Sequence, residues 1–285
     1  MAEATIAVAA ITIDFGNTLV RVDRPGLWDV VDATAVQLAG KSIVRDQDAF
    51  VRTWGEERDR QFREEVPEFH EVDIPQRAVR VLARLRGMAP PAPEDRWNDH
   101  DATALVAPGE IEMVVEAYSG AFVARMTPVA DARATLERLA GRGFALGILS
   151  NWPLALTIDR FAEAHGWMQW LRAIVVSQRV GTIKPHPTIF RAAEEALGLD
   201  GAHDGPAAGR ILHVGDDWAA DVVGAHDAGW RTAYLRNRQV DTPLPTSEPG
   251  DDLITDARVE PDLVIDELSE LDAHLELATG AGARA

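Results

Sequence analysis

The chain has 285 residues, 46% apolar and 26% charged, with no cysteine and a formal net charge of −18. This is enough for one large or two modest soluble domains. It excludes a disulfide framework, a thiolate metal site and a cysteine nucleophile, and it fits the expectation of a cytoplasmic protein. So acidic a surface repels nucleic acid and anionic membranes, and a site for a phosphorylated small molecule must bring its own positive charge.

The run TIAVAAITI opens the readable chain. No basic residue precedes it and it goes straight into Asp14, which predicts a buried core strand rather than a secretory leader. No stretch reaches the roughly 18 apolar residues of a membrane span. From 21 to 118 the texture is helical, in LWDVVDATAVQLAG, DAFVRTWGEERDRQFREE, IPQRAVRVLARLRG and EIEMVVEAYSGAFVARM. The proline-rich APPAPEDRWND reads as a loop among them.

After Pro128 strands and helices alternate. DARATLERLAGRG, LALTIDRFAEAHG, HPTIFRAAEEALG and AADVVGAHDAG are expected helices, and FALGILSN, AIVVSQ, RILHVGDD, TAYL and DLVIDE expected strands. LSELDAHLELA is expected as a closing helix, QVDTPLPTSEPGDD as a flexible surface loop and TGAGARA as a frayed tail. The alternation implies an α/β fold: a Rossmann-like parallel sheet with right-handed crossovers, into which the helical segment is inserted after the first strand. The expected domains are a core over 1–20 and 119–285 and a helical cap over 21–118.

Four pieces fall at the carboxyl ends of expected strands: Asp14 to Thr18, Ser150 with Asn151, Lys184, and Gly215-Asp216-Asp217 with Asp221. In an open parallel sheet those ends converge on one crevice. Asp14 can be a nucleophile or a metal ligand. Asp216, with Asp217 or Asp221, adds hard oxygen donors of the kind Mg²⁺ takes. Thr18, Ser150 and the Asn151 amide can donate hydrogen bonds to phosphate oxygens. Lys184, one of only two lysines, is a point charge able to neutralise carboxylate and phosphate alike. This chemistry suits electrostatic stabilisation of phosphoryl transfer.

As a set, DFGNT at 14–18, LSN at 149–151, the lysine of GTIKPHPTIF and GDDWAADVVGAHDAG at 215–229 resemble the four motifs of the haloacid dehalogenase superfamily. The resemblance implies Asp14 as the nucleophile that forms an aspartyl-phosphate, with Thr18, Ser150 and Lys184 holding the phosphoryl group. It also implies Mg²⁺ at Asp14, the carbonyl of Gly16 and Asp216, with Asp221 supporting the metal's water shell or pairing with Lys184. The inserted helices resemble the family's substrate-selecting cap.

Position 16 departs from the pattern. Most phosphatases of this family read D-x-D there, and the second aspartate is the general acid and base. Glycine keeps the carbonyl and loses the carboxyl. A positioned general acid is worth about 10²–10⁴ in rate, so the expected substrate is a small phosphorylated metabolite with a good leaving group, such as a sugar-1-phosphate. The D-x-G-N pattern also resembles a branch containing α-D-glucose-1-phosphate phosphatases.

The alternatives are a 2-haloacid dehalogenase, whose fourth motif lacks the acidic pair present here, and a non-catalytic binding protein on the same scaffold. Lys41 is the lysine open to Schiff-base chemistry, but at a helix end it reads as a solvated terminus. Trp152 and Trp218, directly after motif residues, are candidate walls for a substrate ring. Trp28, Trp54, Arg58 and Arg60 are weaker candidates from the cap. Asn17 reads as a turn former, Asp217 as a helix cap, His186 as a loop residue and His213 as a core histidine. Oligomeric state is left open.

Overall fold

The structure is a computed structural model that describes residues 5–90, 99–199, 209–236, 241–249 and 259–278. The expected strand IAVAAITI divides in two. β1 (Ile6–Val8) precedes Ala9, whose N–H turns to the carbonyl of Arg210, and β2 (Ala10–Ile13) continues into Asp14. A short β3 (Val20–Arg21) follows.

Helices α1 (Arg24–Gly40), α2 (Gln47–Glu64), α3 (Ile74–Leu85), α4 (Asp99–Leu105) and α5 (Pro108–Arg125) come next. The first three each start on an aspartate whose carboxylate accepts a backbone N–H of the first turn: Asp23 from Gly26, Asp46 from Ala49 and Asp73 from Gln76. This is the capping expected of that residue type. β4 (Thr127–Pro128) pairs antiparallel with β3, so the helical segment leaves and re-enters the sheet domain through a two-strand stalk. Residue 118 falls inside α5 rather than at an element boundary.

The remaining chain alternates α6 (Ala132–Gly141), β5 (Ala145–Ser150), α7 (Ala155–Ala164), β6 (Leu171–Val176), α8 (Ser177–Val180), α9 (Pro187–Leu197) and β7 (Ile211–Gly215). A π-helical turn over Trp218–Val223 then runs into α10 (Gly224–Asp227), followed by β8 (Arg231–Leu235) and β9 (Leu263–Ile265).

The expected closing helix is helical only over its first seven residues. After a 3₁₀ turn (Leu268–Glu270) and the short α11 (Leu271–His274), residues Leu275–Leu277 form β10, which pairs parallel with β1. The β1 backbone, once past the edge of the main sheet, needs a partner for its hydrogen bonds, and that pairing overrides the helical spacing of the segment. The expected tail TGAGARA and most of the proline-rich loop lie outside the described residues. Residues 99–105, expected partly as loop, are α4.

The main sheet is parallel in the order β6-β5-β2-β7-β8-β9. β2 lies at its centre, with Ile13 level with Ile148 of β5 on one side and Val214 of β7 on the other. The chain departs from β2 first toward β5 and β6, then returns to the opposite side for β7, so the strand order reverses beside β2. Ligand crevices open at such switch points, at the carboxyl ends of the strands.

One continuous buried cluster runs from the sheet through Phe15, Phe122, Trp152 and Phe161 into the helices. In it Phe15 meets the edges of Trp152 and Phe161 at 5.3 and 5.5 Å between ring centroids. α1, α2, α3 and α5 pack on one another above it.

Within the helical layer, Glu57 of α2 is buried and accepts from Arg60 (2.9 Å), from Arg80 of α3 (2.6 Å) and from Arg84 (3.0 Å). Burial alone would raise this carboxyl, but the hydrogen bonds from Arg80 and Arg60 outweigh it and hold Glu57 below its ordinary value of 4.5. Glu57→Ala is therefore expected to lower stability by roughly 3 kcal/mol at neutral pH, because it removes the buried carboxylate that Arg60, Arg80 and Arg84 share. The contribution is fully present above the ordinary value of 4.5 and fades as pH falls through the depressed folded value. Urea titrations at pH 7 and in acid should show the gap between wild type and variant narrowing in acid.

Candidate active site

At the centre of the crevice Lys184 is 2% exposed. Its ammonium donates to Oδ1 of Asp14 at 2.9 Å, to Oδ1 of Asp221 at 2.5 Å and to the carbonyl of Leu149 at 3.0 Å. Asp14 is at the end of β2, with its N–H on the carbonyl of Val214. Asp216 follows β7 and accepts from the Thr18 hydroxyl at 3.2 Å. Asp221 reaches back from the π-helical turn, and its Oδ2 accepts the Asp217 N–H at 2.9 Å. Gly215 permits this return: a Cβ there would sit 2.1 Å from Asp221 Oδ2. Asp217 caps the turn through the Ala220 N–H, as its sequence position implies.

His213, read from sequence as a core histidine, is buried but also holds the cluster together. One ring nitrogen is 3.0 Å from Asp221 Oδ1 and the other 2.9 Å from the Thr12 hydroxyl. A ring N–H toward the carboxylate satisfies Asp221, and the Thr12 hydroxyl can pair with the other ring nitrogen in either role. A lone histidine in an apolar strand carries no local sign of this role, since both partners come from elsewhere in the chain.

Burial pushes the Asp14 carboxyl above its ordinary value, with Lys184 opposing and Asp221 adding to the rise. For Lys184, burial alone would favour the neutral amine; the charges of Asp14 and Asp221 outweigh it and raise the ammonium above its ordinary value. Asp221 is also buried, but Lys184 and His213 hold it well below the usual carboxylate range.

Asp14, Asp216 and Asp221 each offer an oxygen within 4.8 Å of the others. Three carboxylates against one ammonium leave an excess of two negative charges, and the donors are all hard oxygens. That donor set fits a divalent cation such as Mg²⁺. Both Asp221 oxygens are already engaged by hydrogen-bond donors, so Asp14 and Asp216 are the better placed to bind a metal directly.

The other expected site residues are placed as follows. Ser150 is buried at the end of β5. Asn151 spends its amide on the backbone of Lys184, accepting from its N–H at 2.7 Å and donating to its carbonyl at 3.0 Å, so it positions the lysine. Asn17 turns the chain at φ 59°, as expected, and donates to the Thr242 hydroxyl at 2.9 Å. Trp152 lines a cavity of about 770 Å³ above the carboxylates, as do Asp14, Gly16, Asn151, Lys184 and Asp216. Trp218 is a correction: it lies outside that lining and packs edge-on against Tyr234 at 5.3 Å. Helical twist after the capping Asp217 directs it away from the crevice. Trp28, Trp54 and Arg58 line the cavity; Arg60 does not, being spent on Glu57, Glu64 and Glu65.

A second correction concerns the expected surface loop. Residues 241–249 are drawn onto the site. Ser247 donates to Asp217 at 2.6 Å and accepts from the Ala219 N–H at 2.7 Å, and Arg58 donates to the Pro243 carbonyl at 2.5 Å. Leu244 fills the space in front of Gly16, where an added Cβ would meet Leu244 Cδ1 at 2.6 Å and the Trp152 ring at 3.2 Å. Proline and polar composition marked the segment as loop without indicating that its ends are hydrogen-bonded to two motifs.

With this geometry in view, comparison with known proteins is decisive at the level of family. A family model described as haloacid dehalogenase-like hydrolase matches residues 8–229. The chain belongs to the haloacid dehalogenase-like hydrolases. It is 31% identical over 138 residues to the pyrimidine 5'-nucleotidase YjjG of Escherichia coli (strain K12), covering 48% of this chain and 56% of that one. It is 33% identical over 130 residues to a glyceraldehyde 3-phosphate phosphatase of Pyrococcus abyssi, covering 43% and 48%. The matches thus span about half the length of these curated relatives. Among solved structures, a 2-haloacid dehalogenase from Pseudomonas syringae pv. Tomato DC3000 superposes with a TM-score of 0.60 at 22% identity, covering 93% of this chain and 96% of that one. A HAD phosphatase from Thermococcus onnurineus superposes at 0.54 with 19% identity, covering 93% and 96%. These two likenesses show the fold.

The crowding at position 16 is testable without reference to activity. Gly16→Ala should cost about 1 kcal/mol, chiefly because the added methyl displaces Leu244, the nearest contact at 2.6 Å. Adding Leu244→Ala should cancel the Gly16→Ala cost, so the two changes are non-additive in denaturant midpoints.

Proposed function

We propose that this hydrolase is a Mg²⁺-dependent phosphatase of a small phosphorylated metabolite, working through an aspartyl-phosphate on Asp14. The observation that carries the reading is the convergence of Asp14, Lys184 and Asp216 on one buried cluster opening into a single cavity. The phosphatase names among the half-length relatives support it.

In this reading a carboxylate oxygen of Asp14 attacks phosphorus and the bond to the leaving oxygen breaks. Water then attacks the aspartyl-phosphate, releasing inorganic phosphate and restoring Asp14. Lys184 offsets the repulsion between Asp14 and the incoming dianion; Asp221 and Asn151 keep the lysine in place, and His213 acts through Asp221. Thr18 orients Asp216. Held by Asp14 and Asp216, Mg²⁺ would supply positive charge that offsets the phosphoryl oxygens and the excess of the carboxylates. The helices over residues 24–125 serve as the cap, with their inner wall enclosing the substrate and limiting bulk water.

With Leu244 in place of a carboxyl before Gly16, the leaving group departs without a protein acid from that position. The same cavity filling would suit a dehalogenase, but the carboxylate excess, which calls for a cation, favours the phosphatase.

Phosphate release from an aryl phosphate should require Mg²⁺, stop with a chelator and fall at least about 10³-fold in Asp14→Asn. Halide release from a 2-haloacid without metal would overturn the proposal. Alkyl phosphates should be turned over about 10²-fold or more slowly than aryl phosphates, and the pair Gly16→Asp with Leu244→Ala should narrow that gap.

A further inference from the structure

Arg77 of α3 is 3% exposed and lines the same cavity from the helical side. Its Nε donates to Gln61 Oε1 at 2.8 Å, and its guanidinium lies 5.3 Å from the centroid of the Trp54 ring. Among the described residues no carboxylate forms an ion pair with it. Arg80, one turn further on, shows the ordinary arrangement in this helix, with a carboxylate at 2.6 Å. Burial of Arg77, together with Arg58 on the same wall, lowers its basicity to about 10, so it stays charged at neutral pH.

Arg58 adds a second guanidinium that meets a carbonyl and, at 3.4 Å, its neighbour Asp59. The phenol of Tyr118 and the faces of Trp54 and Phe62 complete this part of the lining. In a chain of net charge −18, with Glu57 close by in α2 taken by three other arginines, a desolvated guanidinium whose acidic neighbours Glu65, Glu71 and Asp73 stand outside ion-pair distance among the described residues is costly to keep. Its terminal N–H groups make no hydrogen bond among the described residues, and it lines the cavity that Asp14 and Lys184 also line.

We infer that Arg77, assisted by Arg58, forms a second anion subsite, and that the substrate carries a carboxylate or a second phosphate at the end remote from the phosphoryl group to be removed. A guanidinium fork binds either planar or tetrahedral oxyanions. The shared chemistry is thus an anion tethered by a few carbons to a phosphate monoester, with its chain against Trp54 and Phe62. The inference rests on the phosphatase reading for the first anion, and it narrows the substrate class.

The test uses three probes of equal chain length: propyl phosphate, 3-(phosphonooxy)propanoate and propane-1,3-diol bisphosphate. Binding is measured by calorimetry with Mg²⁺ on the full-length Asp14→Asn protein, with Arg77 intact or changed to Met. One or both doubly anionic probes should bind about 10–100-fold more tightly than propyl phosphate, the worth of a charge-assisted hydrogen-bond pair. Which of the two gains more tells carboxylate from phosphate. In Arg77→Met the advantage should vanish while propyl phosphate binds as before.

Arg77→Met should also match or exceed the parent in melting temperature, since it removes an unpaired buried charge. Should that variant not fold, Arg77→Lys, which keeps the charge and loses the fork, should show a reduced advantage. Equal binding of all three probes, or an advantage that survives Arg77→Met, overturns the subsite. If no phosphate ester binds but malonate raises the melting temperature of wild type and not of Arg77→Met, the subsite stands and the phosphatase reading falls. Malonate acting on neither, with no ester bound, overturns both.

Discussion

The site depends on one buried ammonium. Lys184 touches Asp14 and Asp221 directly, and the backbone of its own residue is clamped by Asn151. Without it, several carboxylates would share a desolvated crevice with no fixed cation, an arrangement that like-charge repulsion and desolvation both oppose. With it, the cluster still lacks two positive charges. That shortfall is what the proposed reading assigns to a divalent cation, with the lysine placed to meet a phosphoryl anion. His213 and Thr12, a layer below, fix the geometry of Asp221 and so hold the lysine.

The strand order makes this cluster possible. β2 is flanked by β5 and β7, so Asp14, Ser150 and Asp216 leave neighbouring strands within one residue of the same level. Gly215 lets Asp221 fold back within van der Waals distance of the backbone. The stalk formed by β3 and β4 returns the inserted helices to a position over the crevice. A continuous aromatic cluster around Phe15, Phe122 and Trp152 joins the two layers.

Two features set this molecule's chemistry apart from the pattern its motifs suggest. At Gly16 the space for a side chain is filled by Leu244 from a distant loop, so the site is apolar where a proton donor would stand. From the helical side Arg77 and Arg58 add positive charge to the lining of the cavity that also holds Asp14. In the proposed reading the first would make the leaving group's own acidity matter, and the second would give the substrate's other end a partner. Both act through the cavity between sheet and helices.

Much of the fold and the reacting cluster could be read from sequence because local composition encodes it. Short apolar runs ending in Asp14, Ser150 and Asp216, alternating with capped amphipathic helices, specify parallel strands whose ends meet. Trp218 could not be oriented, because whether a side chain faces the crevice depends on the pitch of the turn that follows Asp217. The closing segment could not be assigned as β10, because a three-residue strand exists only by virtue of the partner it finds in β1.

The roles of His213, Leu244 and Arg77 were hidden for the same reason. A histidine, a leucine and an arginine are unremarkable in their own segments, and acquire meaning from Asp221, Gly16 and the cavity wall around Trp54 that only folding brings near. The sequence by itself determined which residue types stand at the strand ends, since hydrogen-bonding and hydrophobic periodicity are local. The tertiary structure alone decided what fills the space around them, since packing and desolvation depend on residues hundreds of positions apart.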